Sequence, residues 1–357
     1  MIPWITLRRK LAYEARKLFA HVKFEFQRER ILHLLELSMP TISIETTNIC
    51  NANCVFCAYQ FQSRPKGVMQ DSVFVKVIDE FSDLGGGELS FTPTVGDPLV
   101  DPSLVERIKY ARSKPNIHKI FMYTNMISLD LIGVNELIKS GINSIMVSTS
   151  GFDAEMYKRV YRSAKYKQML SNVKKFAQAN NDAGRPVDFQ VDMRVDRPIS
   201  QVLGYPDYHE VECLIGSEKM GVKFRYDNWS GLIEPGALTG NMKLRRAIPK
   251  KRSPCSELYS GPMVYWDGRV GACGCRDINA SELIIGDVRD THLGEIWFGD
   301  AIEQLRREFV TDSIKPICRS CTHYNSVAVT LLHEDRIAHI NARGNKRRAI
   351  RSKQPNV

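Results

Sequence analysis

The stretch Thr41-Ile42-Ser43-Ile44-Glu45-Thr46-Thr47-Asn48-Ile49-Cys50-Asn51-Ala52-Asn53-Cys54-Val55-Phe56-Cys57 decides how the chain is read. Ile42 and Ile44 alternate with Ser43 and Glu45, the period-two pattern of a strand with two unlike faces. The thiols of Cys50, Cys54 and Cys57 then crowd into eight residues of the following loop. Three thiolates suit a tetrahedral zinc or one iron of a cubane cluster, with a position left open. A closed structural zinc site needs a fourth ligand, and no histidine lies nearby.

Downstream, the pattern predicts helices over 71–84, 102–113, 130–140, 153–180 and 208–220. They alternate with strands over 88–92, 118–123, 143–149, 187–195 and 222–228. Such alternation implies parallel strands with crossover helices. The fold class is therefore α/β. Between residues 41 and 232 there is room for a partial (β/α)6 barrel, short of the eight units of a full one. The strand at 187–195 places Gln190, Asp192, Arg194 and Asp196 on one face, with Phe189, Val191, Met193 and Val195 on the other. A polar inner face of this kind suits a cavity that binds substrate. Glycines and prolines at Gly231, Pro235, Gly236, Gly240, Pro249 and Pro254 mark a boundary, and a cysteine-rich module is expected over 250–330.

The chain has 357 residues and a net charge of +10, placed at its ends: residues 1–30 carry +5 and residues 336–357 carry +7. Residues 1–40 are read as an amphipathic basic helix. Its apolar stripe, Leu7, Leu11, Ala15, Leu18 and Val22, either packs on the core or lies on a membrane surface. Residues 331–357 form a basic tail, of which NARGNKRRAIRSKQPNV (341–357) is expected to be disordered. It has no Phe, Tyr or Trp to stack on bases, which counts against nucleic acid as a partner. No apolar run approaches the roughly 20 residues of a membrane span. No signal-peptide core is seen at the start, so a cytoplasmic protein is expected, with peripheral membrane contact through the first helix as the further reading.

Nine cysteines in a chain without an export signal point to metal or redox chemistry. Beyond the first three, Cys255 is followed after seventeen residues by Cys273, and then by Cys318 and Cys321 as Cys-x2-Cys. Gly268 stands five before Cys273 in a hairpin turn, Trp266–Val270, and a helix is predicted over 294–309. Spacing alone does not separate zinc from iron–sulfur here. Cys275 is a spare thiol, and Cys213 reads as a small buried hydrophobe on a helix.

The first group, with Phe56 just before its third cysteine, resembles the CxxxCxxC signature of the radical S-adenosylmethionine (SAM) superfamily. The resemblance implies a [4Fe–4S] cluster on Cys50, Cys54 and Cys57 whose open iron is chelated by SAM. It also implies further contacts to SAM. The Thr94–Pro98 loop, with Gly96 and Asp97, would meet the methionine amino group, although Val95 and Asp97 depart from the usual GGEP. Asn125 ends the third strand as in many members. Ser148 and Arg162 match positions that hold ribose or carboxylate, and the backbone of Tyr59 matches the adenine reader. Arg194 is a further candidate clamp for SAM or substrate.

The second group is similar to the SPASM/twitch extension of that superfamily. Since no cysteine follows Cys321, it is similar to the single-cluster, twitch-type branch that includes 2-deoxy-scyllo-inosamine dehydrogenase. This implies a second auxiliary [4Fe–4S] cluster on Cys255, Cys273, Cys318 and Cys321. An electron donor such as flavodoxin or ferredoxin is implied as a partner.

Four thiolates saturate that cluster, which leaves it electron transfer rather than substrate binding. The expected substrate is a carbohydrate-like small molecule: a sugar, aminocyclitol or nucleotide-sugar undergoing dehydrogenation, dehydration or epimerisation. Arg225 and Asp227, on the expected sixth strand, are candidates to assist proton removal beside Arg194. A peptide- or protein-modifying enzyme is the alternative. An RNA-directed enzyme and a non-catalytic electron carrier stand further off. Anaerobic reconstitution tests the two-cluster reading. The wild type should bind about eight irons and the Cys50/Cys54/Cys57→Ala variant about four, with dithionite-dependent SAM cleavage only in the former.

Overall fold

A computed structural model describes residues 4–245 and 248–330 of the chain, with side chains from residue 12 to 329. Two helices, α1 (Trp4–Phe26) and α2 (Arg28–Glu36), precede the sheet where a single amphipathic helix was expected over 1–40. Six strands then lie side by side in chain order, each parallel to the next: β1 (Thr41–Ile44), β2 (Gly87–Ser90), β3 (Ile117–Thr124), β4 (Ser144–Thr149), β5 (Asp188–Arg194) and β6 (Met220–Lys223). The crossovers are α3 (Asp71–Asp83), α4 (Leu104–Arg112), α5 (Leu129–Ile132), α6 (Val134–Lys139), α7 (Ala154–Tyr161), α8 (Tyr166–Asp182), α9 (Ile199–Val202) and α10 (Pro206–Ile215).

The crossovers pack as their sequence dictates. In α3, Phe74, Val77, Ile78 and Phe81 are buried at helical spacing. Each such side chain contributes ~1.5–3 kcal/mol on leaving water. Two expected helices are broken. Gly133, at φ 86, divides α5 from α6, and Arg162, at φ 49, ends α7 in the left-handed region. The expected strand 222–228 is also broken. The chain leaves the sheet at Phe224, and β7 (Arg225–Tyr226) pairs instead with β8 (Lys243–Leu244) in a separate ribbon. Cys213, expected to be buried, is exposed on α10.

The strand register sorts the faces. Ser148 lies opposite Asp192, and Arg194 opposite Lys223, so the polar face of β5 continues onto its neighbours. Val147 opposite Val191 forms the apolar face, and both are fully buried.

The C-terminal module is not a separate body beside the barrel. Its strands β9 (Met263–Val264), β10 (Arg269–Gly271) and β11 (Ile284–Asp287) extend the same sheet beyond β1, giving nine strands in the order β11-β10-β9-β1-β2-β3-β4-β5-β6. β9 runs parallel to β1, with Ser43 N–H donating to the Pro262 carbonyl at 3.0 Å and Glu45 N–H to Val264 at 2.9 Å. This approach requires Gly261: φ is 145°, and a Cβ there would stand 1.6 Å from the Thr41 carbonyl oxygen. Behind the sheet, α11 (Glu257–Ser260), α12 (Leu293–Trp297), α13 (Asp300–Val310), α14 (Pro316–Ser320) and α15 (Val327–Thr330) complete the module. The Leu293 N–H donates to Glu80 Oε2 of α3 at 2.8 Å, and the buried Trp297 donates to the Ser38 carbonyl at 3.0 Å.

The first helix does not bury its expected stripe. Ala20 and Phe24 are buried, α1 packs on α15, and Tyr13, Leu18, Phe19, Val22 and Phe26 are exposed. The side chains of Leu7 and Leu11, and the tail from 331, lie outside the described residues. No helix among the described residues is long and apolar enough to cross a membrane.

A buried ion pair locks the junction. Arg64 grips Glu45 at the end of β1 through Nη1 at 2.7 Å and Nη2 at 2.9 Å, and its Nε donates to the Ile278 carbonyl of the module at 2.7 Å. Both side chains are almost fully buried. Burial nevertheless pushes the Glu45 carboxyl above its usual range. Arg64→Met should therefore cost ~3–5 kcal/mol in urea unfolding, because Glu45 is left uncompensated. Glu45 in that variant holds its proton in the folded state and releases it when unfolded. Stability should then fall as pH rises above about 5, so the loss should be larger at pH 8 than at pH 5.

Candidate active site

The cysteine loop leaves β1 and is pinned from three sides. Asn53 N–H donates to the Tyr161 carbonyl at 3.2 Å and Val55 N–H to Val160 at 2.9 Å, tying the loop to the end of α7. Tyr59 folds back, its hydroxyl accepting from Cys50 N–H at 3.1 Å and lying 3.3 Å from the Cys50 carbonyl. Asn125, at the end of β3, donates to Asn51 Oδ1 at 2.7 Å and reaches Cys50 Sγ at 3.7 Å. The Tyr59 N–H points at Cys57 Sγ, 3.5 Å away. Two of the three sulfurs thus already have N–H donors aimed at them.

These thiols are poorly suited to remaining alone. Burial pushes Cys50 up to about 12 and Cys57 up to about 11, and holds Cys54 well above its ordinary value. Thiolates form here only when a cation replaces the protons. Three sulfurs with amide donors, and no imidazole among the groups bearing on them, fit an iron–sulfur cluster with one open iron.

The other expected SAM residues ring this loop. Gly96 lies against it: at φ 137, a Cβ would stand 2.7 Å from the Thr47 carbonyl oxygen. The Asp97 carboxylate is buried and spent on the scaffold, accepting from Leu99 N–H, Thr124 hydroxyl and Asn125 N–H at 2.7–3.1 Å. Burial raises it to about 6. It therefore joins the Thr94–Pro98 loop to β3, and the backbone of that loop is what remains to meet a ligand. Arg162 is exposed and reaches across to Gln60 Oε1 at 2.9 Å. Ser148 shares a hydrogen bond with the Tyr161 hydroxyl at 3.0 Å. The Tyr59 N–H faces Cys57 Sγ and its carbonyl accepts from Gln62 N–H at 3.2 Å, which leaves the second lone pair of that carbonyl for a ligand.

Arg194 lies 5.5 Å above the Phe56 ring and pairs with Asp192 at 2.8 Å. Asp192 also pairs with Lys223. Arg225 does not join them. It is exposed on β7, because the chain has already left the sheet. Asp227 turns the other way and pairs with Arg276 at 2.8 Å.

The second site is a cavity lined by Cys255, Cys273, Cys318 and Cys321, with Cys275 also on its wall. The elements that bring them together are far apart in sequence: a bridge from Cys255 to Ser326, the loop after β10, and the end of α14. Burial pushes Cys318 up to about 12 and Cys255 higher. The Cys275 thiol lies 3.6 Å from Glu257 Oε2, and the ligand atoms of Glu257, Cys275 and His323 fall within 4.8 Å of one another. Four half-buried thiols lining one cavity fit a saturated cluster, and a fifth stands beside it. Sequence reading passed over His323, Trp229 and Arg276, for which no spacing rule exists.

Comparison with known proteins agrees with this geometry. Residues 44–187 match the radical SAM superfamily and residues 255–322 match the SPASM iron–sulfur cluster-binding domain. The chain is 26% identical over 131 residues to a GTP 3',8-cyclase of Chlorobaculum tepidum, spanning 36% of this chain and only 38% of that protein. It is 26% identical over 311 residues to a PqqA peptide cyclase of Granulibacter bethesdensis, covering 78% of each. Among solved structures, BtrN in complex with AdoMet and 2-DOIA superposes with a TM-score of 0.55 at 18% identity, covering 81% of this chain and 94% of that one. That similarity is one of fold. The cysteine loop on a parallel sheet, followed by a second thiol cavity, accords with both matches: the chain carries a radical SAM domain over residues 44–187 and a SPASM iron–sulfur cluster-binding domain over residues 255–322.

Proposed function

We propose that this enzyme removes hydrogen from a carbohydrate-like small molecule, a sugar, aminocyclitol or nucleotide-sugar, leading to dehydrogenation, deoxygenation or epimerisation. The observation that carries this reading is the polar lumen, where Asp192 sits between Arg194 and Lys223. A carboxylate that accepts and cations that donate can together orient the hydroxyls of a polyol. When bound, the cluster and SAM supply a 5′-deoxyadenosyl radical that takes the hydrogen atom.

The chain's own residues bind and orient. Cys50, Cys54 and Cys57 hold the cluster. Arg162 and Arg194 are the candidates for the SAM carboxylate, by paired hydrogen bonds. Ser148 and Asn125 are the candidates for the remainder of SAM, and the backbone around Gly96 is the candidate for its amino group. Cys255, Cys273, Cys318 and Cys321 would hold an auxiliary cluster, which would supply a site for taking up an electron, with flavodoxin or ferredoxin as the external donor. BtrN, whose complex holds 2-DOIA, lends support as a fold neighbour. The second reading, a peptide modifier, is favoured by the PqqA peptide cyclase relative. A cytoplasmic location belongs to the same reading. Peripheral membrane contact rests on the exposed apolar side of α1 alone.

Deuterium transfer separates the two readings. With a panel of deuterated sugars and aminocyclitols, label should pass from a carbinol carbon into 5′-deoxyadenosine. Transfer from a peptide carbon, with none from the panel, would overturn the proposal. Asp192→Asn should lower turnover about 10²-fold by disorienting the substrate. Arg225→Ala should leave it unchanged.

A further inference from the structure

The ground between the two cysteine sites is held by one buried guanidinium. Arg276 follows Cys275 and is only 8% exposed. Its Nη2 pairs with Asp227 Oδ2 at 2.8 Å, and its Nη1 donates to the Cys275 carbonyl. The guanidinium carbon lies 4.4 Å from the centre of the Trp229 ring. Trp229 in turn donates from Nε1 to the carbonyl of Phe56, between Cys54 and Cys57, at 2.9 Å. Asp227 steadies the same turn by accepting from the Trp229 N–H at 2.9 Å. Arg276 also lines the auxiliary cavity. A single cation therefore walls one cluster site and reaches the other through one indole ring.

The reach of its charge agrees with this geometry. The guanidinium lines the second cavity and stacks on the indole that bonds the Phe56 carbonyl of the first, so its charge bears on the thiols of both. A positive charge that favours thiolate also favours the more negative, reduced state of a cluster on those thiolates. Asp227 opposes it from 2.8 Å away.

We propose that Arg276 is a positioning residue shared by both clusters: it ties the auxiliary loop to the cysteine loop through Trp229 and holds both reduction potentials up. The inference rests on the reading that both sites carry iron–sulfur clusters. The Arg276–Asp227 pair then acts as a common electrostatic setting between electron source and electron acceptor. Removing Arg276 leaves the Asp227 carboxylate unopposed, whereas removing the Asp227 charge leaves Arg276 unopposed. The two changes act with opposite sign at both sites.

The test uses the full-length, anaerobically reconstituted protein and redox titration followed by electron paramagnetic resonance. The Cys50/Cys54/Cys57→Ala variant identifies the auxiliary signal. Arg276→Gln should keep wild-type iron and shift both potentials down. Asp227→Asn should keep iron and shift both up, and Arg276→Lys should stay near wild type because the charge is retained. Full iron with either potential unmoved in both charge variants would overturn the proposal. So would loss of auxiliary iron in Arg276→Gln with no upward shifts in Asp227→Asn, since Arg276 would then be a strap and nothing more. A wild type holding only half the iron would instead refute the two-cluster reading itself, and the proposal with it.

Discussion

The buried grip of Arg64 on Glu45 is the constraint on which the arrangement depends. Glu45 closes β1, Arg64 follows the cysteine loop, and Ile278 belongs to the module beyond the barrel. A bidentate pair taken out of water is stable only when every donor and acceptor is met, so its geometry tolerates little displacement. Tyr265 lies under the guanidinium, with 4.8 Å to its ring centre. The strand, the loop and the module are consequently fixed to one another at the point where the first thiols emerge.

From that junction the sheet runs in both directions. On one side, β1 to β6 carry the lumen in which Ser148, Asp192, Arg194 and Lys223 share a face. On the other, β9 to β11 carry the hairpin whose far end delivers Cys273 to the auxiliary cavity. One continuous sheet makes the distance between the two cysteine sites a property of backbone hydrogen bonding rather than of a flexible linker. A fixed separation is what electron transfer between two centres would need.

Aromatic side chains pack around the first cysteine loop. Phe56 stacks on Tyr226 at 5.4 Å and meets Tyr161 edge-on at 5.5 Å, while Tyr161 stacks on Tyr157 at 4.8 Å. These rings surround the cysteine loop with low-dielectric material. That raises the cost of bare thiolates and strengthens the effect of the few charges admitted, chiefly Arg194 and Arg276. The site is thus an apolar shell with a small number of placed cations.

The sequence by itself determined the two groups of thiols and the fold class. The spacing of Cys50, Cys54 and Cys57 is local, that of Cys255, Cys273, Cys318 and Cys321 is readable as a pattern along the chain, and the alternation of apolar residues along β1 and β5 is a property of the strand itself. Gln190, Asp192 and Arg194 were legible as a polar face for the same reason. What only the tertiary structure decided depends on residues distant in sequence. The chain leaves the sheet at Phe224, which carries Arg225 to the surface and turns Asp227 toward Arg276. Ala20 and Phe24, rather than the expected stripe, are the parts of α1 that α15 and its surroundings leave no water to reach. The module joins the barrel through β1 because Gly261 lets two backbones approach where any side chain would collide. Periodicity records how one segment divides its faces. It does not record which distant segment will cover them, because that choice is made by packing, charge pairing and hydrogen bonds formed only when the chain closes on itself.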